Sequence, residues 1–451
     1  LRHSLGRRLQ LAPKLNYTPD PLASGNLQKW EQLSQVIPAL TALDVTARLT
    51  GALLRRREVK CAADLLRLVL AYACCDWSLR LLAVWCGVQG LGRLSAPALR
   101  KRLKRCNRWL GVLIVALLKA RRLRLPTRSG ELRLRIQDAT TISRPGSRGT
   151  DWRWHISLNV SEGRIDGVEL TDAHGGETLA RFPVQPGEIR LADSGYAHPH
   201  GLGTVLCEEG RIVVRINWQN LHLEHETGQR FDVAAWLAEI EKTAQGTQER
   251  MVWLPTAQGR FKLRLIACPL PPDKAEEARR RARRASRKKK HNIDPRTLLA
   301  AGFVLLLTNL AASDWTAAEV VGLYRLRWQV EILIKRLKSL LTLDHLRAQD
   351  PELAQTYLLG KLCAALLLEE MSGRLISCVP HDWELQGRFV SHWGVTALCQ
   401  EALKSLVRGS LTLERIIEAM PGLLRHLSDG PRKRLPQWVV AQRLLNAMST
   451  C

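Results

Sequence analysis

From about residue 30 to residue 125, apolar positions recur at intervals of three and four and glycines are few. That is the spacing of helices that each bury one face. Within this stretch, residues 78–110 divide at a glycine-rich turn. Ser95 as N-cap and Pro97 in the first turn then open a second helix. It carries Arg100, Lys101, Arg102, Lys104 and Arg105. A helix, a turn and a basic helix predict a helix-turn-helix over 78–110 within a helical domain over 1–125. A plain helical bundle with a basic face fits the same spacing.

The period changes at Pro126. ELRLRIQDATTI alternates as a strand ending at Asp138, and DWRWHISLNV and RIDGVELTD predict two strands joined by a hairpin at SEG. HGGETLARF reads as a short helix, and GEIRLADSGYA as a strand ending at Asp193. A helix up to Glu209 and the strand RIVVRINW complete a mixed α/β layout over 126–218. Residues 219–300 interrupt it with a β-rich insertion, whose MVWLPTAQGRFKLRLIACPL holds two strands around a glycine-bearing turn. A very basic helical arm over 275–291 follows. The strand FVLLLTNL and one long helix then return to the core over 301–345, and the tail over 346–451 is again helical by period, a candidate dimerisation domain.

The long helix, LYRLRWQVEILIKRLKSLL, carries two stripes. Leu323, Leu326, Val330, Leu333, Ile334, Leu337 and Leu341 face a core. Tyr324, Arg327, Glu331, Lys335 and Lys338 share a separate sector about 80° wide and about 21 Å long on an unbroken helix. A surface helix with an i,i+4 ion pair, Glu331 with Lys335, accounts for the row taken alone.

Charge changes that picture. The chain of 451 residues holds 68 Lys and Arg against 42 Asp and Glu, a net charge of +26, with a sequence pI near 10.2. Such an excess calls for a polyanionic partner, and nucleic acid before an anionic membrane. Arg100 and Arg102 become DNA-contact candidates, and the arm becomes a phosphate-binding element. The longest apolar runs, Leu110–Leu118 and Gly302–Leu310, are about half what a bilayer needs, and no secretory signal opens the chain. The 11 cysteines show no metal or disulfide spacing and predict reduced thiols in a cytoplasmic protein.

In so basic a chain, carboxylates on two strand ends and on the row are informative. Asp138, Asp193 and Glu331, if they converge, would bind two divalent cations, one activating water or a 3′-OH and the other stabilising the leaving oxygen. Arg327, Lys335 and Lys338 would then hold the flanking phosphates.

Tyr324, Arg327, Glu331 and Lys338 stand in the spacing Y-(2)-R-(3)-E-(6)-K, which resembles the signature of the DDE transposases of the insertion sequence four group. IQDATTI and LADSGY resemble that family's two aspartate motifs, and LLLTNL its lead-in to the helix. The resemblance runs from about Asp138 to Leu341. It implies an RNase H-like core with a β-rich insertion, and Asp138, Asp193 and Glu331 as catalytic metal ligands for two Mg²⁺, with Mn²⁺ as a substitute. It also implies cleavage at terminal inverted repeats, a hairpin intermediate, strand transfer into target DNA, and a homodimer on double-stranded DNA in the bacterial cytoplasm, associated with the nucleoid. Tyr324, Arg327 and Lys338 would contact the terminal DNA, and Trp218, Trp236 or Trp253 would receive a flipped base. Ser194 stands where the family often has arginine, which removes one phosphate contact. An inactive DNA-binding copy and a metal-dependent nuclease are the alternatives.

Overall fold

A computed structural model of the chain describes Trp30, Leu40 and residues 42–122, 133–160, 163–243, 246–288, 290, 292–376 and 391–409. The turn residues Ser161 and Glu162, His291 of the arm, and the helical tail expected beyond Gly409 lie outside the described residues. The protein forms one twisted eight-stranded sheet with helices on both faces. Among the described residues five helices come first: α1 (Leu43–Leu49), α2 (Ala62–Cys74), α3 (Leu79–Val88), α4 (Ala96–Lys104) and α5 (Asn107–Arg122). Ser95 caps α4 as its sequence predicts, its Oγ accepting from the Ala98 amide at 3.3 Å.

The sheet begins with β1 (Leu134–Ile142), β2 (Trp152–Asn159) and β3 (Arg164–Asp172), an antiparallel meander. β4 (Ile189–Ala192) returns parallel to β1, α6 (Pro199–Cys207) follows, and β5 (Arg211–Arg215) lies parallel to β4. Then come α7 (Val233–Thr243), β6 (Gln248–Thr256), β7 (Gly259–Pro269), α8 (Pro272–Lys288), α9 (Pro295–Ala300) and β8 (Phe303–Thr308). The strand order is β3-β2-β1-β4-β5-β8-β7-β6. The two insertion strands therefore extend the core sheet: β7 pairs with β8, and β8 with β5. The chain continues through α10 (Ala317–Arg325), α11 (Trp328–Leu341), α12 (Pro351–Ile376) and α13 (His392–Arg408).

Alternation along the strands sends side chains to two cores. Ile136, Leu191, Val213 and Leu306 join the helical residues Leu66, Val69, Leu333, Leu337, Leu362 and Leu366 on one face. Ile212, Val214, Leu305 and Leu307 meet Leu202, Val205, Trp236 and Leu237 on the other. Helices from both ends of the chain thus pack against one another beneath the first face.

Two expectations need correction. HGGETLARF forms only a three-residue 3₁₀ turn, Leu179–Arg181, capped by the Thr178 hydroxyl; its paired glycines, poor helix formers, leave the rest extended over the sheet. The long helix is two helices, α10 and α11. At the joint the Leu326 and Arg327 amides bond to Leu323 and Tyr324, three residues back, and this tighter winding interrupts the α-helical ladder without proline or glycine. Tyr324 thus belongs to α10, while Glu331, Lys335 and Lys338 belong to α11.

The far end of α11 is anchored from below. Thr342 turns left-handed (φ 46°), and its carbonyl and hydroxyl accept from the fully buried Lys361 Nζ at 2.5 and 3.0 Å. Gln400 of α13 donates to the Leu340 carbonyl. These donors satisfy groups that a helix C-terminus otherwise leaves open.

Candidate active site

Strand register places the two aspartates. Ile136 of β1 is level with Leu191 of parallel β4, so Asp138 and Asp193, each two residues further on, stand level with each other and face the same way. Adjacent strands run about 4.8 Å apart. On β5, Ala192 is level with Val214, which brings Arg215 level with Asp193. Helix α11 packs against β1, its Leu333 and Leu337 in one core with Ile136, and brings Glu331 close enough to act on Asp138.

Electrostatics tie the three carboxylates together. Burial pushes the Asp138 carboxyl up to about 6, and Asp193 and Glu331 add like charge, while the Ala139 amide and Arg327 oppose the rise. Oδ1 of Asp138 accepts from the Ala139 amide at 2.8 Å, and Oδ1 of Asp193 from the Gly195 amide at 2.8 Å. Glu331 Oε1 accepts from Arg327 Nη2 at 2.6 Å, not from Lys335, which sits over the Trp328 ring instead at 5.0 Å. The Arg327 guanidinium also lies 5.7 Å from the Tyr324 ring. Burial raises the Tyr324 hydroxyl above its usual range, against the pull of Arg327 and Arg215.

Hard oxygen donors on β1, at the end of β4 and on one helix suit a hard divalent cation; β1 does not end at Asp138 as expected but runs on to Ile142, because its pairing with β2 continues to Trp152. Among the described residues no three acidic, His or Cys side chains already surround a single point. The contacts are consistent with this: Asp138 bonds the next amide of its own strand, Asp193 the Gly195 amide of its turn, and Glu331 is turned to Arg327.

Lys338 lies half-buried further along α11 and Lys335 is exposed. Arg100 is exposed and Arg102 partly covered, and the basic positions of α4 are in part engaged by acidic partners. Arg100 pairs with Asp350 at 2.8 Å, Lys104 with Asp350 and Glu352 at 3.1 and 2.6 Å, and burial lowers the partly covered Arg102. These contacts dock α4 on the start of α12 and leave Lys101 and Arg105 exposed. Trp218 follows β5 near the site's edge, with Arg296 4.7 Å from its ring and its indole N–H on Thr297 at 3.3 Å. Trp253 lies between Arg260 and Lys262. Trp236 is packed in the second core, so no base can reach it.

Three residues at the site escaped the sequence reading. Arg215 is recognisable only once β5 is registered against Asp193. Trp328 is half exposed on α11; it lies in the same helical sector as Lys335 and was legible there. Glu177, in the connection between β3 and β4, carries no spacing signal. Burial raises its carboxyl, with Asp193 the next cause.

The comparisons with known proteins agree. The family described as Transposase DDE domain matches residues 130–367. The putative transposase InsL of insertion sequence element IS186A from Escherichia coli K12 is 38% identical over 361 residues, 79% of this chain and 95% of that protein. The transposase of IS421 from Escherichia coli is 38% identical over 362 residues, with the same coverage. The transposase of IS231F from Bacillus thuringiensis subsp. israelensis is 29% identical over 148 residues, 32% of this chain and 30% of that protein. A cryo-EM structure of the piggyBac transposase synaptic complex with hairpin DNA overlaps 91% of this chain and 88% of that one, at a TM-score of 0.45 and 11% identity, too low to carry an argument. With 38% identity along most of its length and a DDE domain over more than half of it, the chain belongs to the DDE transposases of the insertion sequence four family and is a DNA-cleaving, strand-transferring transposase.

Proposed function

We propose that Asp138, Asp193 and Glu331 are the catalytic carboxylates, and that they hold two Mg²⁺ ions, replaceable by Mn²⁺, between β1, the end of β4 and α11. DDE transposases work with divalent metal ions; when bound, these supply a nucleophile at neutral pH and charge stabilisation on the leaving oxygen. The observation that supports the assignment is that Asp138 and Asp193 each lie two residues past the last registered pair of β1 and β4, within electrostatic reach of each other and of Glu331.

The remaining residues bind and orient DNA. Arg327 holds Glu331 in place before substrate enters and offers its guanidinium to an incoming phosphate. Arg215 and Tyr324 flank that position from β5 and α10. Lys338, further along α11, takes the phosphate next to the break and keeps the terminal nucleotides bent, which supports a hairpin intermediate. Trp218 and Trp253 line the insertion side, each with a cation already stacked on it, as candidates for an extruded base. The exposed basic positions of α8 hold flanking duplex by charge. The enzyme acts on the terminal inverted repeats of its element and on target DNA, as a homodimer on DNA.

Glu331→Gln tests the triad. The variant keeps shape and loses charge, so it should bind element ends as the wild type does and cut them at least ~100-fold more slowly. Loss of end binding together with cleavage would make Glu331 a structural partner of Arg327 only.

A further inference from the structure

Glu177 lies in the connection between β3 and β4, outside the three carboxylates, yet the fold places it against them. The point that a Cβ would occupy on Gly195 is 2.2 Å from Glu177 Oε2 and 3.1 Å from Asp193 Oδ1. The Glu177 carboxylate therefore fills the space that any other residue at 195 would need, facing the second aspartate across its own turn. Gly195 in turn donates its amide to Asp193. One glycine serves both contacts.

This placement is built, not incidental. The connection bearing Glu177 has almost no regular structure, so its backbone carbonyls need partners from elsewhere. Arginines of the sheet and of the connection itself supply them. Arg153 donates to the Gly175 carbonyl at 2.8 Å and Arg181 to that of Gly176 at 2.6 Å. The fully buried Arg190 donates to Leu179 at 2.6 Å, Phe182 at 3.0 Å and Pro183 at 2.6 Å. On the other side, Gly201 of α6 lets that helix close onto Thr178, where a Cβ would come within 2.6 Å of its hydroxyl. Glu177 is thus held on both sides of its own residue, with its carboxylate turned inward to Asp193. A residue needed only as a surface spacer would sit in solvent.

We propose that Glu177 is a fourth carboxylate of the reacting centre, a positioning residue that strengthens cation binding at Asp193. It rests on the reading of Asp193 as a metal ligand. Two carboxylates facing each other repel in the free protein, and a divalent cation held by Asp193 converts that repulsion into attraction. Glu177 can accept from water on such a cation and fix the orientation of the Asp193 carboxylate, as outer partners of metal ligands do.

Binding of Mn²⁺ to the full-length protein, followed by electron paramagnetic resonance without DNA, tests this. Glu177→Gln should weaken Mn²⁺ binding roughly 10-fold or more, the usual range for such partners, and Glu177→Asp should recover most of it at an unchanged melting temperature. Asp193→Ala is the control. If Asp193→Ala loses Mn²⁺ while Glu177→Gln binds as the wild type does, the proposal fails and the triad stands. If Asp193→Ala binds Mn²⁺ normally, the ligand assignment itself fails and takes the proposal with it. If Glu177→Gln and Glu177→Asp both lose binding together with melting temperature, Glu177 serves loop packing, which also overturns the proposal.

Discussion

Arg327 Nη2 donates to Glu331 Oε1 at 2.6 Å, one helical turn apart at the joint between α10 and α11. The third carboxylate is therefore positioned by a guanidinium that also faces Tyr324. A cation engaging Glu331 must share or displace that arginine, and a phosphate arriving with DNA offers the arginine a new partner. On the proposed assignment, metal and DNA binding are coupled through this pair.

Arg327→Ala removes both a holder of Glu331 and a phosphate contact. Hydrogen bonds to charged groups contribute about 1.5–3 kcal/mol, so cleavage of element ends should fall by roughly 10- to 100-fold. Arg327→Lys should recover only part of the loss, since it keeps the charge but not the planar fork. End cleavage by Arg327→Ala at the wild-type rate would remove the pair from the account.

Asp138 makes a pH prediction. Its carboxyl is raised from 3.8 to about 6, chiefly by burial. The native state therefore holds a proton between those values that the unfolded chain releases, and stability declines as pH rises through this window. Asp138→Asn lacks that cost. Without metal, its melting temperature should exceed that of the wild type by about 2–4 °C above pH 6, with the difference vanishing below pH 4. Mn²⁺ should raise the wild type and leave the variant unmoved. Equal melting of the two proteins at pH 7.5 contradicts the burial argument.

The basic helix α8 divides into structural and free positions. Arg279 bonds the Leu298 carbonyl and Glu241, and Arg281 and Arg283 pair with Glu277 and Glu276. Arg280, Arg284, Arg287 and Lys288 are exposed, with no ion pair among the described residues. Replacing these four with glutamine should lower the slope of log affinity against log salt by up to about 3–4, while Arg279→Gln should instead lower stability. An unaltered slope would make α8 a connecting helix.

Lys338→Ala should leave first-strand nicking near wild type and lower the yield of hairpin ends, read on a denaturing gel. Unchanged hairpin yield removes Lys338 from that step.

Much of this was legible before any coordinates. The alternation around Asp138 and Asp193 gave strands β1 and β4, and the spacing from Tyr324 to Lys338 pointed to the family. Register then did what spacing cannot, setting Asp138 level with Asp193 and Arg215 beside them. The partner of Glu331 was misjudged because an unbroken helix makes Lys335 and Arg327 equivalent neighbours, whereas the tight joint at Leu326 favours Arg327. The basic residues of α4 looked unpaired because their acidic partner, Asp350, lies 250 residues away from Arg100. Glu177 was invisible for a similar reason: its importance comes from a missing side chain at Gly195.

The central claim is that Asp138, Asp193 and Glu331 form one metal-dependent cutting site. The most direct measurement is excision from a plasmid carrying the element's own ends, with Mg²⁺ or with EDTA, for wild type and Asp193→Ala. Excision by the wild type with Mg²⁺ alone, absent in the variant, is the predicted result. Tight end binding without cleavage by the wild type in Mg²⁺ or Mn²⁺, or cleavage retained by Asp193→Ala, would contradict it.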